Sequence, residues 1–365
     1  MTNKHLYWLD WVRFIAAFMV VACHARGYTW VEWNQLDSND QTKLIEAFFT
    51  TTEDGREWVI VFFVLSGFLV GGKLIERSLA HTFDPWVFAV DRITRIWVPM
   101  VPALLFTTGV ALYCGFTISF VVLLGNFLCL QGIFCDIYGD NVPFWSLSYE
   151  VWFYILAGSV ALIVMRPNMH RLRLWLILAA CFAAFTKLWA VYLYCWLLGA
   201  FSYFLSSGKK STGLGFFGLF IALLGIGLFK MYGDPGPIDD FLHASLPSPN
   251  IAWLVESLGF GIFFADVCYR EPHSPLMIRF ERLGTSLAAF SYTLYLTHYP
   301  TLLLWGRLFS VPRYPHVDAV SLLVYICKIS STLLLAWLLY LPFESQTPAI
   351  RKWLKYRLIP LASRQ

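Results

Sequence analysis

Three ionisable side chains, Asp10, Arg13 and His24, interrupt the apolar stretch "LDWVRFIAAFMVVACH" near the start of the sequence. Arg13 and His24 are eleven residues apart. In an α-helix this spacing places them on one face, about 16 Å apart along the axis. Asp10 lies on nearly the same face. A histidine titrates near neutral pH and is a common general base, so this polar stripe predicts a reacting site. The alternative is anchoring, with an Asp–Arg pair at one membrane surface and a histidine at the other.

A second candidate group lies in "FWSLSYEVWFY", residues 144–154. Glu150 follows Ser146 by four residues and precedes Tyr154 by four, so the three side chains share one helical face. A carboxylate at this position can orient an imidazole, accept a proton or pair with an arginine. The first two roles are catalytic, whereas an ion pair with Arg13 or Arg56 would be structural.

Two arginines, Arg92 and Arg95, stand three residues apart in "DRITRIWVP", which puts both on one face at the end of a helix. Guanidinium groups bind phosphate bidentately, so the pair predicts a phosphate-bearing ligand. Basic residues at the cytoplasmic end of a span are also common membrane anchors, and the pair by itself is compatible with that role.

A fourth group is formed by Tyr292, Tyr295 and His298 in "SYTLYLTHYP". Their spacing of three residues places them along one side of a helix that ends near a proline. They are candidates to line a site, and the alternative is a tyrosine belt at the membrane interface.

The elements that must position these residues are membrane helices. The chain has 365 residues, of which 58% are hydrophobic and 14% charged, against about 25% charged residues in soluble domains. The mean hydropathy of +0.61 agrees. The net charge of +4 is small and no basic run alternates with aromatic residues, so no nucleic-acid partner is predicted. The eight cysteines show no CxxC or zinc spacing, so no metal is predicted and the thiols are expected to be apolar filler.

Crossing a bilayer takes about 20 mostly apolar residues. Segments of this kind occur at 7–25, 58–75, 97–115, 144–165, 173–187, 189–206, 213–231, 250–268, 285–305 and 318–341. A further apolar run, 119–134, is predicted to be re-entrant or interfacial, because a full crossing would move the later basic loops outside. The predicted fold class is therefore all-α, a polytopic integral membrane protein with about ten transmembrane helices and both termini cytoplasmic. No repeat or linker is visible, so residues 1–365 are predicted to form a single membrane domain with no appended soluble domain.

Four motifs, in this order, resemble the membrane acyltransferase-3 family over nearly the whole chain. The first is an arginine followed after ten residues by a histidine, here Arg13 and His24, and the second is an FFxxSGFL-like helix, here "FFVLSGFLVGGKL" with Ser66. The third is RxxR, here "RITR", and the fourth is WSLxxE, here Trp145 to Glu150. The family's usual ending is closer to "FERP", from which "FESQTP" departs.

The resemblance implies an enzyme that takes an acyl group, commonly acetyl, from cytoplasmic acyl-CoA and delivers it to a hydroxyl of a cell-surface glycan or its lipid-linked precursor. A sugar hydroxyl is a weak nucleophile, so the transfer needs a general base, assigned to His24 with Glu150 as its orienting or proton-accepting partner. Arg92 and Arg95 would hold the CoA phosphates, and Arg13 would bind CoA or polarise the thioester carbonyl. Acetyl-CoA is the expected co-substrate and the bacterial cytoplasmic (inner) membrane the expected location. An acyl-histidine intermediate stays open.

Other residues of these motifs are expected to support the site or contact substrate. They are Asp10, Ser66, Trp145, Ser146, Tyr154, Tyr292, Tyr295 and His298. Three aromatic residues of the loop 26–57, Tyr28, Trp30 and Trp33, are suited to stack on a sugar, and equally to anchor the chain at the interface.

Other interpretations are open from the sequence alone. A small molecule such as a macrolide could replace the glycan as acceptor, and succinyl or another short acyl group could replace acetyl. A relay of Asp10, His24 and Glu150 could serve a proton-coupled transporter, although no repeated halves are visible. A non-catalytic partner in glycan assembly is a third interpretation. The expected partners are acyl-CoA, a glycan or lipid-linked sugar, and membrane lipid, with homo-oligomerisation left open.

Overall fold

The computed structural model describes residues 6–53, 55–165, 171–206, 212–232, 249–268 and 274–359. Within these ranges the chain is helical, and the β-structure there is limited to two isolated bridges, Trp30 with Tyr314 and Gln131 with Cys135. In chain order the helices are α1 Tyr7–Gly27, α2 Lys43–Thr51, α3 Gly55–Ser66, α4 Gly72–Leu79, α5 Pro85–Cys114, α6 Phe120–Phe127, α7 Trp145–Met165, α8 Arg171–Phe185, α9 Ala190–Ser202, α10 Thr212–Tyr232, α11 Pro249–Val267, α12 Pro275–Ala289, α13 Ser291–Phe309, α14 Ala319–Tyr340 and α15 Thr347–Leu358. A π-helical segment, Gly67–Gly71, joins α3 to α4.

Seven helical segments in the described ranges are long and apolar enough to cross a membrane. They are Tyr7–Gly27, Lys43–Leu79, Pro85–Cys114, Val142–Met165, Gly213–Met231, Asn250–Val267 and Ala319–Leu358. The three other predicted spans correspond to two shorter apolar helices, Leu172–Phe185 and Val191–Leu205, and to α13. The prediction of an all-α, polytopic membrane protein is confirmed.

The helix that carries the two arginines of "RITR" is longer than predicted. It begins at Pro85 rather than near residue 97, because Pro85 suits the first helical turn and no breaker follows before Pro99. Its 30 residues measure about 45 Å, more than the hydrocarbon thickness of about 30 Å. Arg92 and Arg95 therefore lie within a continuous helix.

The predicted span 285–305 is wrong at its start, because the helix is interrupted between α12 and α13. Phe290 separates the two helices with φ −105° and ψ 6°, and the hydroxyl of Ser291 donates to the carbonyl of Ala288. The apolar pattern runs through this break, so the sequence does not mark it. The run 119–134 contains α6, whose eight residues measure about 12 Å and do not reach across a bilayer.

Contacts divide the chain into two compact units, each made of three stretches. The first contains the chain up to Arg13, Val59–Pro85 and Tyr149–Ser286, and the second contains Phe14–Trp58, Trp86–Ser148 and the chain from Leu287 onward. The single-domain organisation stays a prediction.

The first unit is held together by helices that approach at glycine. A Cβ atom added to Gly67 would collide with the carbonyl oxygen of Trp196, and one added to Gly199 would collide with that of Val64. Small residues allow this backbone contact, which is a common way to pack helices in membranes. The π-helical segment after Ser66 is thereby fixed against α9.

The second unit has an aromatic core around Trp30. The buried residues of this cluster are Ala25, Trp30, Leu36, Phe49, Leu302 and Tyr325. Trp30 has an exposed fraction of 0%, and its ring packs 5.1 Å from that of Tyr325. The expectation that Trp30 stacks on a sugar is therefore wrong, because its indole is covered by protein.

Candidate active site

Two histidines meet in the second unit, one predicted as the base and one predicted only to support the site. The Nδ1 atom of His24, in the last turn of α1, lies 2.9 Å from the Nε2 atom of His298 on α13. The two rings are stacked, with centroids 5.1 Å apart. His298 is fully buried and His24 is partly exposed.

A proline two residues after His298 leaves one backbone carbonyl of the helix around His298 without its usual donor. Pro300 has no N–H, so the carbonyl of Leu296 cannot receive its usual helical hydrogen bond. The side-chain amide of the buried Asn141 donates to that carbonyl at 2.9 Å, and also to the hydroxyl of Thr107 at 3.1 Å. Asn141 thus stabilises the stretch of α13 that carries His298.

The hydrogen bonds of His298 assign the tautomers of both rings. Its Nδ1 atom lies 2.8 Å from the carbonyl oxygen of Tyr295 and 3.2 Å from that of Leu294. Carbonyl oxygens only accept, so this Nδ1 carries the proton and Nε2 is an acceptor. The Nδ1–H of His24 must therefore be the donor between the rings. The lone pair of His24 is then on Nε2, as a general base requires.

Two tyrosines pack beside this pair of histidines. Tyr299 packs edge-on to the His24 ring at 5.2 Å, and Tyr28 packs edge-on to Tyr299 at 5.6 Å. Burial, followed by a hydrogen bond with Tyr299, raises the pKa of Tyr28 above its usual value. Sequence reasoning missed Tyr299, although it directly follows His298 in the "THYP" segment.

The three residues predicted along one face of α13 contact three different side chains. Tyr292 contacts Arg95, Tyr295 contacts Ser146, and His298 contacts His24. Tyr295 contacts Ser146, with hydroxyl oxygens 2.8 Å apart, and donates to the carbonyl of Pro143 at 3.0 Å. Ser146 is buried, so this contact fixes the start of α7. Trp145, the first residue of α7, is partly buried there.

Arg95, which is partly exposed, forms an ion pair with a buried carboxylate that the sequence did not predict. Its Nη1 atom lies 2.9 Å from Oε1 of Glu344, whose side chain is 4% exposed. The second carboxylate oxygen of Glu344 accepts from the backbone N–H and hydroxyl of Thr293, at 3.0 and 2.7 Å. The Arg95 guanidinium also lies over the ring of Tyr292, 4.9 Å from its centroid. The signal for Glu344 was a carboxylate directly after an apolar span, in "PFES".

Arg92, the other arginine of the motif, is partly buried, with its guanidinium 5.9 Å from the centroid of the Phe88 ring. The role of Arg92 and Arg95 in phosphate binding stays a prediction.

In the first unit, Glu150 ends a chain of hydrogen bonds that includes two other predicted residues. The hydroxyl of Tyr154 donates to Oε1 of Glu150 at 2.5 Å. Ser66 lies 3.0 Å from the Tyr154 hydroxyl and accepts from Nε1 of Trp196 at 3.3 Å. Ser66 must then donate to Tyr154, so the donors all point towards the carboxylate. The predicted action of Glu150 on His24 stays a prediction.

Asp10 and Arg13 are joined as the spacing predicted. Nη1 of Arg13 lies 3.2 Å from Oδ1 of Asp10, and the hydroxyl of Thr285 donates to Oδ2 at 3.0 Å. Asp10 is buried, so these contacts satisfy its carboxylate. In the part of the chain that the structure describes, no group of three or more His, Cys, Asp or Glu residues is placed to hold a metal ion.

Comparison with known proteins gives one finding. The family model Acyl_transf_3, described as "Acyltransferase domain", matches residues 6–341, which include every candidate residue named above except Glu344. No curated protein and no solved structure matches the chain. The chain therefore belongs to the membrane acyltransferase-3 family and is a multi-pass membrane acyltransferase.

Proposed function

We propose that this acyltransferase moves an acetyl or other short acyl group from cytoplasmic acyl-CoA to a hydroxyl of a cell-surface polysaccharide or its lipid-linked precursor. His24 is the general base in this proposal. The single observation that carries it is the hydrogen bond between Nδ1 of His24 and Nε2 of His298. The bond leaves the His24 lone pair on Nε2, where it can accept a proton from the acceptor hydroxyl.

In the proposed reaction, His24 is the one residue that accepts and returns the proton, and the step balances without another acid or base. Nε2 removes the hydroxyl proton as the hydroxyl oxygen attacks the thioester carbonyl carbon. A C–O bond forms and the C–S bond breaks, and the imidazolium returns the proton to the departing CoA sulfur. The products are an O-acyl ester and CoA.

His298 is proposed as a positioning residue for this step. When Nε2 of His24 gains a proton, the ring becomes cationic and its Nδ1–H becomes a stronger donor. His298 Nε2 accepts that hydrogen bond at 2.9 Å, in the place where a carboxylate acts in a catalytic triad. A neutral imidazole acceptor avoids placing an anion in a buried site.

The roles proposed for the other candidate residues rest on the family resemblance and on the charges of their side chains. Arg92 and Arg95 are proposed to bind the phosphates of CoA, because guanidinium groups suit phosphate geometry. Arg13 is proposed to bind CoA or polarise the thioester carbonyl, with Asp10 holding its side chain through the 3.2 Å contact. The family resemblance alone suggests Glu150 as an orienting or proton-accepting partner of His24, and the step described above does not need it, because His298 accepts from His24 Nδ1. The proposed location is the bacterial cytoplasmic membrane, with both termini cytoplasmic.

The test is transfer of labelled acetyl from acetyl-CoA to extracted envelope glycan by membranes that contain wild-type or His24→Ala protein at matched levels. We expect label with the wild type and none with His24→Ala. The matched control is His316→Ala, which changes an exposed histidine paired with Asp318 and should leave transfer unchanged. Equal label with wild type and His24→Ala would exclude His24 as the base, and no label with any protein would exclude acetyl-CoA as the donor.

A further inference from the structure

The C-terminal helix α15 carries two basic side chains to the segment that contains "RITR". Arg351 and Lys355 are four residues apart and lie on the same face of α15. Nε of Arg351 lies 3.4 Å from Oδ1 of Asp91, and Nζ of Lys355 lies 2.8 Å from the same oxygen. Nε of Arg351 also donates to the hydroxyl of Thr94 at 3.2 Å. The helix is thus attached to α5 at the arginine motif.

Positive charge is in excess within this group. Arg92 directly follows Asp91 in the sequence, and Arg95 directly follows Thr94, whose hydroxyl accepts from Arg351. Among the described residues named here, the cations are Arg92, Arg95, Arg351 and Lys355, and the carboxylates are Glu344, which pairs with Arg95, and Asp91, which pairs with Arg351 and Lys355. Like charges held this close repel one another, so a bound anion would stabilise the arrangement.

The basic side chains can also be reached by a ligand. The exposed side-chain fractions are 33% for Arg95, 34% for Arg351 and 33% for Lys355. A guanidinium has five N–H donors and an ammonium has three, so their contacts with Asp91 leave donors for a second acceptor. If Arg351 and Lys355 served only to attach α15 to α5, one of these two cations opposite Asp91 would be sufficient.

We propose that Arg351 and Lys355 of α15 complete a phosphate-binding site with Arg92 and Arg95, and that its ligand is the phosphate-bearing part of CoA. This inference rests on the proposed function, because it takes acyl-CoA as the donor. It adds a helix that lies beyond the family match, which ends at residue 341. The same phosphate chemistry occurs in anionic lipid headgroups, and the experiment separates the two sources.

The test measures the affinity of the purified full-length protein for CoA and for 3′-dephospho-CoA by titration calorimetry. Charge-assisted hydrogen bonds are strong, so we expect the double variant Arg351→Gln, Lys355→Gln to bind CoA at least about tenfold more weakly. Lys355→Arg keeps the charge and should bind within about threefold of the wild type. If the double variant binds CoA more weakly than the wild type but binds 3′-dephospho-CoA equally well, α15 contacts the 3′-phosphate. If the double variant binds both ligands more weakly, α15 contacts the diphosphate.

The control is Lys352→Gln, because Lys352 is exposed and next to Arg351 on the same helix. It should leave CoA affinity unchanged. Thermal unfolding of each variant verifies folding. An unchanged affinity of the folded double variant would overturn the inference. Thermal stabilisation by phosphatidylglycerol nanodiscs that is lost in the double variant, with CoA affinity kept, would overturn it in favour of a lipid headgroup.

Failure of this inference is distinguishable from failure of the proposed function. CoA binding does not require the base, so His24→Ala protein should bind CoA like the wild type. If the wild type binds CoA and the α15 variants bind equally well, only the role of α15 is wrong. If the wild type does not bind CoA, both the donor assignment and this inference are wrong.

Discussion

Replacing His298 tests whether its contact with His24 sets the geometry of the base. His298→Ala removes the acceptor of the His24 Nδ1–H, so the ring can rotate and its proton can occupy either nitrogen. His298→Gln keeps an acceptor, because the amide oxygen of glutamine can take a position near that of Nε2. The two variants therefore separate the loss of the hydrogen bond from the loss of the imidazole itself.

The size of the effect follows from the charge on His24 in the transition state. The bond is 2.9 Å long and its acceptor is fully buried. A hydrogen bond to a charged group contributes about 1.5–3 kcal/mol, and about 1.4 kcal/mol changes a rate tenfold. We expect kcat of His298→Ala to fall about 10- to 150-fold. The KM for acetyl-CoA should change little, because the lost interaction strengthens only in the transition state.

The assay is the rate of acetyl transfer at saturating acetyl-CoA, with CoA affinity and thermal unfolding measured on the same proteins. His298→Gln should recover most of the rate, and the exposed-site control His316→Ala should match the wild type. If His298→Ala transferred acetyl at the wild-type rate, the tautomer argument would be refuted. If His298→Gln were as slow as His298→Ala, the imidazole itself rather than an acceptor would be required.

Three further predictions concern packing and buried polar groups. Glu344→Gln removes the buried carboxylate charge that pairs with Arg95, so the free energy of unfolding should fall by about 1–3 kcal/mol, measured by thermal unfolding. Gly67→Ala places a methyl group against a backbone carbonyl, so the same measurement should show a loss of about 1–3 kcal/mol or more. Tyr154→Phe removes the donor to the Glu150 carboxylate, so acetyl transfer should slow about tenfold.

Each of these predictions has a matched control in the chain. Glu46→Gln breaks an exposed ion pair of 3.0 Å and should change stability by less than about 1 kcal/mol. Gly109→Ala adds a methyl group with nothing within 4 Å and should be neutral or stabilising in a helix. Tyr194→Phe changes an exposed phenol and should leave transfer unchanged. If a variant changed stability or transfer no more than its control does, the contact that this variant removes would not contribute to that property.

Local spacing predicted which residues share a helical face, because an α-helix relates nearby residues by fixed geometry. Asp10 and Arg13, three residues apart, form an ion pair, and Glu150 and Tyr154, four residues apart, form a hydrogen bond. Helix ends were predicted less well. The break at Phe290 has no glycine or proline beside it, and the adjacent Ser291 is the first residue of α13 rather than its N-cap.

Composition alone predicts that this protein is built from membrane helices, because its low charge and long apolar segments leave no other solvent for its surface. The spacing of Asp10, Arg13 and His24 also predicts that they share one face of the first helix, whereas it does not mark buried groups such as Glu256 and Lys328. The partners of the ionisable residues are set by contacts between distant segments of the chain. His24 and His298 are 274 residues apart, and Arg95 and Glu344 are 249 residues apart. Apolar residues face both lipid and protein in a membrane helix, so hydrophobic periodicity does not show which faces meet, and packing alone brings these distant residues together.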